Sequence, residues 1–206
     1  MSIVGGGIGI VNSLVNAFKG IKQRKDGKKI QEKLDIQGTP EWKELRKPLW
    51  TGSRAIRLLQ GKPFTPEGDF EGNQYTRRGQ ALERVAIAEY ERLVKHKVMR
   101  PGFITNTVYP NAGYSPDGIC CAHLLEVKCL NGERHEKLAA GEIPLEYLVQ
   151  IYFGMIITGK RKAHLLAFNP EYSQQLTVLD VKYDKLIGNN IRKKLRLDMK
   201  NRRPTS

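Results

Sequence analysis

The sequence predicts an α/β (α+β) domain, a central mixed β-sheet flanked by helices. Three observations lead there. Two long segments, 77–95 and 146–158, carry apolar residues at helical spacing. Four short stretches, 104–109, 124–129, 163–168 and 174–181, have the length and the branched, aliphatic content of strands. The elements run helices, strand, strand, helix, strand, strand, helix, an order that fits neither a pure bundle nor a pure sandwich. The chain has 206 residues, 40% hydrophobic and 27% charged, a globular composition with room for one ordinary domain and appendages. A domain of this size buries about 70% of its unfolded surface and needs no disulfide or structural metal.

Taken in order, residues 3–18 are apolar and glycine-rich, with Ile8, Val11, Val15 and Phe18 at helical spacing. No base precedes Lys19, and Asn12 and Asn16 interrupt the apolar run, so a packing or oligomerisation helix is expected here and not a signal peptide. Residues 22–37 read as a basic linker or exposed helix, and 1–37 together as an N-terminal extension. The compact domain is expected over 38–184. Thr39-Pro40 starts a helix with Trp42 and Leu45 on one face. A second short helix follows Ser53 and stops at Gly61 and Pro63. Residues 62–75 are a Gly/Pro-rich loop. Leu82, Val85, Ala86, Tyr90 and Leu93 then stripe the long helix 77–95, which Pro101 and Gly102 close. Ser115-Pro116-Asp117-Gly118 is turn chemistry between two strands. Gly159 is the expected C-cap of helix 146–158, and 185–200 forms a basic terminal helix within a tail, 185–206.

Charge is concentrated at the ends. Of a net +14, residues 19–33 hold +5 and residues 185–206 hold +7, which leaves +2 for residues 34–184. Such a fringe adds salt-sensitive affinity for a polyanion without reading its sequence. No run approaches a membrane span. Cys120, Cys121 and Cys129 show no CxxC pattern, which fits a reducing compartment and excludes a zinc ribbon. They cannot supply the four thiolates of an iron–sulfur cluster. His96, His123, His135 and His164 show no metal-ligand spacing and are expected at surface or core positions.

The segment with chemistry is Asp117 followed by Glu126-Val127-Lys128. On a strand, Glu126 and Lys128 share a face while Val127 points inward. A turn can bring Asp117 alongside. Two carboxylates and the Val127 carbonyl make a hard oxygen site suited to Mg²⁺, with Mn²⁺ as a substitute. Lys128 beside it can orient or deprotonate a water, or steady charge on phosphorus. Glu83 lies four residues after Gly79 on the long helix. Gln150 sits among Leu148, Val149 and Ile151, where an amide needs a polar partner.

These segments resemble the PD-(D/E)xK nucleases, and within them the lambda exonuclease/YqaJ-type viral recombinase nucleases. The likeness runs from about Gly38 to Pro170, through GTPEWKELRKPLWTGS, RRGQALE, YSPDG, LEVKC and YLVQIYFGMIITG. It implies a restriction-endonuclease-like core. It also implies that Asp117, Glu126 and Glu83 hold metal, that Lys128 acts on the water, and that Arg46, Ser53 and Ser115 bind the 5′ phosphate of the strand being degraded. Arg46 suits that task because a planar guanidinium grips phosphate oxygens in a set orientation. Two positions depart from the pattern: Tyr152 stands where a second glutamine is usual, and Leu130 replaces a proline.

The expected activity is therefore Mg²⁺-dependent hydrolysis of DNA, 5′→3′ from duplex ends, in phage-type recombination or repair. The resemblance further implies a cytoplasmic enzyme, in the host cell if viral, with a single-strand annealing protein as partner and a homo-oligomer, a trimer in the exonuclease form. A structure-specific or single-strand endonuclease of the same fold, and a DNA-binding assembly protein without catalysis, are the alternatives.

Overall fold

A computed structural model of the chain describes residues 22–23, 29–33, 37–66 and 74–202. The apolar segment 3–18 lies outside the described residues. Helix α1 (Pro40–Arg46) begins where Thr39 Oγ1 accepts the Trp42 backbone N–H at 3.3 Å, with Pro40 in the first turn. A 3₁₀ turn (Gly52–Arg54) leads into α2 (Ala55–Leu59), and the chain leaves it through Gly61 at φ +74°. Helix α3 spans Gln74–Val94. Among the strands, β1 (Lys22–Gln23) and β2 (Lys29–Lys33) occupy part of the stretch expected to be linker or exposed helix. Strand β2 pairs antiparallel with β3 (Phe103–Asn106), whose open edge offers unpaired backbone groups to any extended segment.

The stretch expected as a single strand, 104–109, is a hairpin of β3 and β4 (Tyr109–Tyr114). Pro110, Asn111 and Gly113 disguise β4 as turn. Gly113 is needed there because a Cβ would lie 2.2 Å from the Phe103 ring. The chain continues through β5 (Gly118–Cys120), β6 (His123–Lys128), α4 (Glu133–Ala139) and α5 (Leu145–Thr158). Gly159, at φ +71°, caps α5. Strands β7 (Lys162–Phe168) and β8 (Leu176–Lys182) and helix α6 (Lys185–Asn201) complete it.

The strands form two four-stranded sheets. One, β1-β2-β3-β4, is antiparallel; the other, β5-β6-β7-β8, is mixed, with β6 and β7 parallel. The α4–α5 segment is the crossover that a parallel pair requires. Alternation on β6 divides the core. Leu124 joins a cluster with Phe153, Ile157 and other residues of α5, while Leu125 and Val127 pack with Ala86, Ile87 and Tyr90 of α3. Helix α5 is apolar nearly all round because sheet, α2 and α6 enclose it. Ile191 and Leu195 of α6 are buried in that same core, so its bases are best probed by substitution and not by truncation. No helix among the described residues is long and apolar enough to cross a membrane.

Candidate active site

Three separate stretches of chain meet at the end of β6. Asp117, in the turn before β5, accepts the Val127 backbone N–H on Oδ2 at 2.7 Å. That bond replaces a ladder partner of β6 and pins the turn to the strand. Glu126 is 3% exposed and accepts three hydrogen bonds. Tyr114 Oη donates to Oε2 at 2.6 Å, while Lys128 Nζ (2.7 Å) and Gln150 Nε2 (2.6 Å) donate to Oε1. Lys128 Nζ also donates to Gln150 Oε1 at 3.1 Å, and lies 4.7 Å from the centre of the Tyr147 ring. Glu126 and Lys128 thus share the α5 face of the strand, and the half-buried amide of Gln150 has both of them as partners. Glu83 on α3 pairs with Arg100.

The carboxylates act on one another. Burial first, then the charges of Glu126 and Glu83, push the Asp117 carboxyl well above the usual aspartate range. Burial raises Glu83 as well, Arg100 opposes this, and Glu126 adds to it. Burial favours the neutral form of Lys128, but Glu126 and Asp117 outweigh it and the ammonium is held above its ordinary value. Burial and Glu126 likewise raise the Tyr114 phenol, which stays a donor. The three carboxylates bring hard oxygens to this end of β6, with Glu83 tied to Arg100 and not drawn into one ligand cluster with Asp117 and Glu126. That donor set fits Mg²⁺ or Mn²⁺ better than a soft-ligand metal.

Next to it lies a second group. The Arg46 guanidinium sits 4.0 Å over the Trp42 ring and donates to Ser53 Oγ at 3.3 Å. Thr51 and Ser53 hydroxyls are 3.0 Å apart. Trp42 Nε1 donates to Ser115 Oγ at 2.7 Å. Arg46, Ser53 and Ser115 are therefore joined through Trp42, whose ring is buried and serves as their common support. Ser115 and Asp117 belong to one turn, so this group abuts the acidic one. A cleft of about 400 Å³ lined by Leu130, Arg134, Lys137, Ile143 and Tyr147 opens on the Lys128 side.

Sequence reasoning passed over Tyr114, Arg100, Tyr147 and the bridging role of Trp42. Tyr114 opens the YSPDG segment and its position next to that turn was the available signal. Arg100 carries none, since only the packing of α3 against the loop after it brings Arg100 to Glu83.

Comparison with known proteins follows the same outline. A family model described as the YqaJ-like viral recombinase domain matches residues 41–161. No curated protein matches. Among solved structures, an alkaline exonuclease (LHK-Exo) from Laribacter hongkongensis is similar at 24% identity and a TM-score of 0.68, over 79% of this chain and 92% of that one. LHK-Exo in complex with dAMP gives 23% and 0.69 over the same shares. A phage-related exonuclease from Haemophilus somnus 129PT gives 13% and 0.52, over 77% and 95%. These likenesses establish the fold.

Proposed function

The chain belongs to the YqaJ-like viral recombinase family, and from that premise we propose that it is a divalent-metal-dependent deoxyribonuclease that degrades duplex DNA from 5′ ends in recombination or repair. The observation that carries this reading is the bonded group at the end of β6, where Lys128 and Gln150 donate to Glu126 and Asp117 accepts the Val127 N–H, with Glu83 coupled to them by charge. The solved exonucleases of the same fold support it. The nuclease unit of this reading is 38–184, with 1–37 an extension whose β2 joins its sheet and 185–206 a basic segment whose helix α6 packs into its core.

Glu83, Asp117, Glu126 and the Val127 carbonyl would hold Mg²⁺ or Mn²⁺, which supplies Lewis-acid charge to a phosphate oxygen and lowers the pKa of a bound water. The protein's own groups do the rest. Lys128 has three N–H donors, and Glu126 and Gln150 engage two of them. The third is available to a phosphate oxygen or the attacking water. As an ammonium it stabilises charge developing on phosphorus. Gln150 holds both Glu126 and Lys128, so it is a positioning residue.

Arg46, Ser53 and Ser115 form the proposed 5′-phosphate pocket. Arg46→Ala is expected to reduce the preference for 5′-phosphorylated over 5′-hydroxyl duplex by about 10- to 100-fold, the worth of one charged hydrogen bond. The competition is read from kcat/KM on the two substrates. Exposed bases on α6 supply non-specific affinity. Converting Lys193, Arg196 and Lys200 to Gln is expected to flatten log K against log salt by about 0.9 for each phosphate that is no longer neutralised, measured by fluorescence anisotropy on duplex DNA.

The whole reading is tested by digesting 5′-phosphorylated linear duplex, 5′-hydroxyl duplex and a closed circle with and without Mg²⁺. Loss of the linear forms alone, and only with metal, is expected. Equal cutting of the circle overturns the exonuclease form, and binding without cleavage overturns the nuclease. The reading includes a homotrimer around the duplex and an annealing protein as partner; light scattering that gives a monomer would count against the ring.

A further inference from the structure

We propose that His123, His164 and Asp180 form a second divalent-metal site, of the zinc class, at the end of the mixed sheet away from the carboxylate centre. Each residue comes from a different strand. His123 opens β6, His164 lies near the start of β7, and Asp180 lies directly across from His164 on β8. One ring nitrogen from each histidine and a carboxylate oxygen all lie within 4.8 Å of one another. The two imidazoles are stacked, with centroids 4.0 Å apart and planes 16° apart. Their register follows from the pleat: His164 shares a face with Leu166 and Phe168, and His123 with Leu125 and Val127, the face that packs on α3.

This place is distinct from the proposed nuclease centre. Glu126 and Lys128 point to the other face of β6, and Lys128 is five residues along from His123, about 16 Å at strand rise. The donor chemistry differs too. Two imidazoles and one carboxylate select Zn²⁺, Co²⁺ or Ni²⁺ over Mg²⁺. Zn²⁺ at about 2.0–2.1 Å from each ligand needs donors closer together than they stand here. Stacked imidazoles direct their lone pairs side by side, so binding requires the half-buried His123 ring to turn out of the stack and Asp180, exposed and in no ion pair among the described residues, to rotate toward it.

A positioning group is already in place. Tyr90 on α3 is buried, and its hydroxyl lies 2.7 Å from His164 Nδ1. In the tautomer that carries the proton on Nδ1, the phenol oxygen accepts it and Nε2 of His164 is the lone-pair nitrogen. Metal-bound histidines are commonly held through their second ring nitrogen in this manner. Three protein ligands leave one position for water, on the exposed side by Asp180. The ion would tie β6, β7 and β8 together at the ends where β6 and β7 begin.

The test uses the full chain and ZnCl₂, read by isothermal titration and by melting temperature. Wild type is expected to bind zinc at this site and melt higher with it. Asp117→Asn is expected to keep that zinc, whereas His123→Ala and Asp180→Asn are each expected to lose it. Tyr90→Phe is expected to weaken it by about tenfold. Asp180 is at the surface, so Asp180→Asn serves if His123→Ala fails to fold. No zinc bound by wild type, or zinc bound equally by His123→Ala and Asp180→Asn, overturns the site. So does zinc lost in Asp117→Asn and kept in His123→Ala, which would put the ion among the carboxylates.

Discussion

Glu126→Ala is expected to abolish cleavage, by at least about a thousandfold in kcat, and to destabilise the fold by about 3–5 kcal/mol. Both effects have the same origin. The buried carboxylate accepts from Tyr114, Lys128 and Gln150 at once, and truncation leaves a mostly buried ammonium and two neutral donors without that acceptor. Breaking a buried pair from one side costs more than its net worth, because the surviving charge stays in low dielectric. Glu126→Gln separates the two effects. Its amide oxygen can still accept from Lys128 and Gln150, and the Tyr114 hydroxyl can turn to accept the new N–H. Cleavage should be lost at little expense of stability. Urea unfolding and release of acid-soluble nucleotides measure the pair, and cleavage at the wild-type rate in either variant would remove Glu126 from the chemistry.

Asp117→Asn is expected to abolish cleavage in the same assay and yet raise the melting temperature of the metal-free protein. The gain should be on the order of 1 kcal/mol, about 2–4 °C for a chain of this length. Asn keeps an oxygen for the Val127 N–H and removes a charge that burial, Glu126 and Glu83 all oppose. The pH dependence has a definite sign. An acid whose folded-state pKa is raised holds its proton more tightly in the native state, so its contribution is most favourable below the ordinary aspartate value of 3.8. That contribution is lost as pH rises through the folded value. Glu83, raised from 4.5, acts in the same direction. Metal-free wild type should therefore lose stability from these two groups as pH rises above about 4, and Asp117→Asn should lose less. Mg²⁺ should restore more of the wild-type melting temperature at pH 8 than at pH 5, since it binds the ionised carboxylates. Equal slopes in wild type and Asp117→Asn would contradict the account.

Much of this arrangement was legible from local pattern. Thr39-Pro40 marked a helix start, and Gly159 marked the end of α5. A period of two put Glu126 and Lys128 on one face, and an amide among apolar neighbours at Gln150 demanded the partners it has. What local pattern could not show is non-local pairing. Strand β4 was hidden because Pro110, Asn111 and Gly113 have turn chemistry, and their strand conformation comes from β3 and from the Asn111 bonds to Leu195 and Asp198 on α6. Tyr114 then fell in an unassigned stretch. His123 and His164 are separated by 41 positions, so no spacing rule joins them; parallel pairing of β6 with β7 does. The basic stretch 22–37 showed no alternation that would distinguish strand from linker, and an open sheet edge decided the matter.

The Tyr114 ring is clasped by two backbones. A Cβ at Gly52 or at Gly154 would sit 2.6 Å from it. Gly52 adjoins Ser53, and Gly154 lies one helical turn beyond Gln150. Neither the Ser53 turn nor the Gln150 helix can move toward the other without displacing the ring whose hydroxyl holds Glu126. One aromatic ring thus serves as a common wall for the Ser53 turn and the Gln150 helix, and a substitution that enlarges either glycine is felt at the Glu126 hydrogen bond.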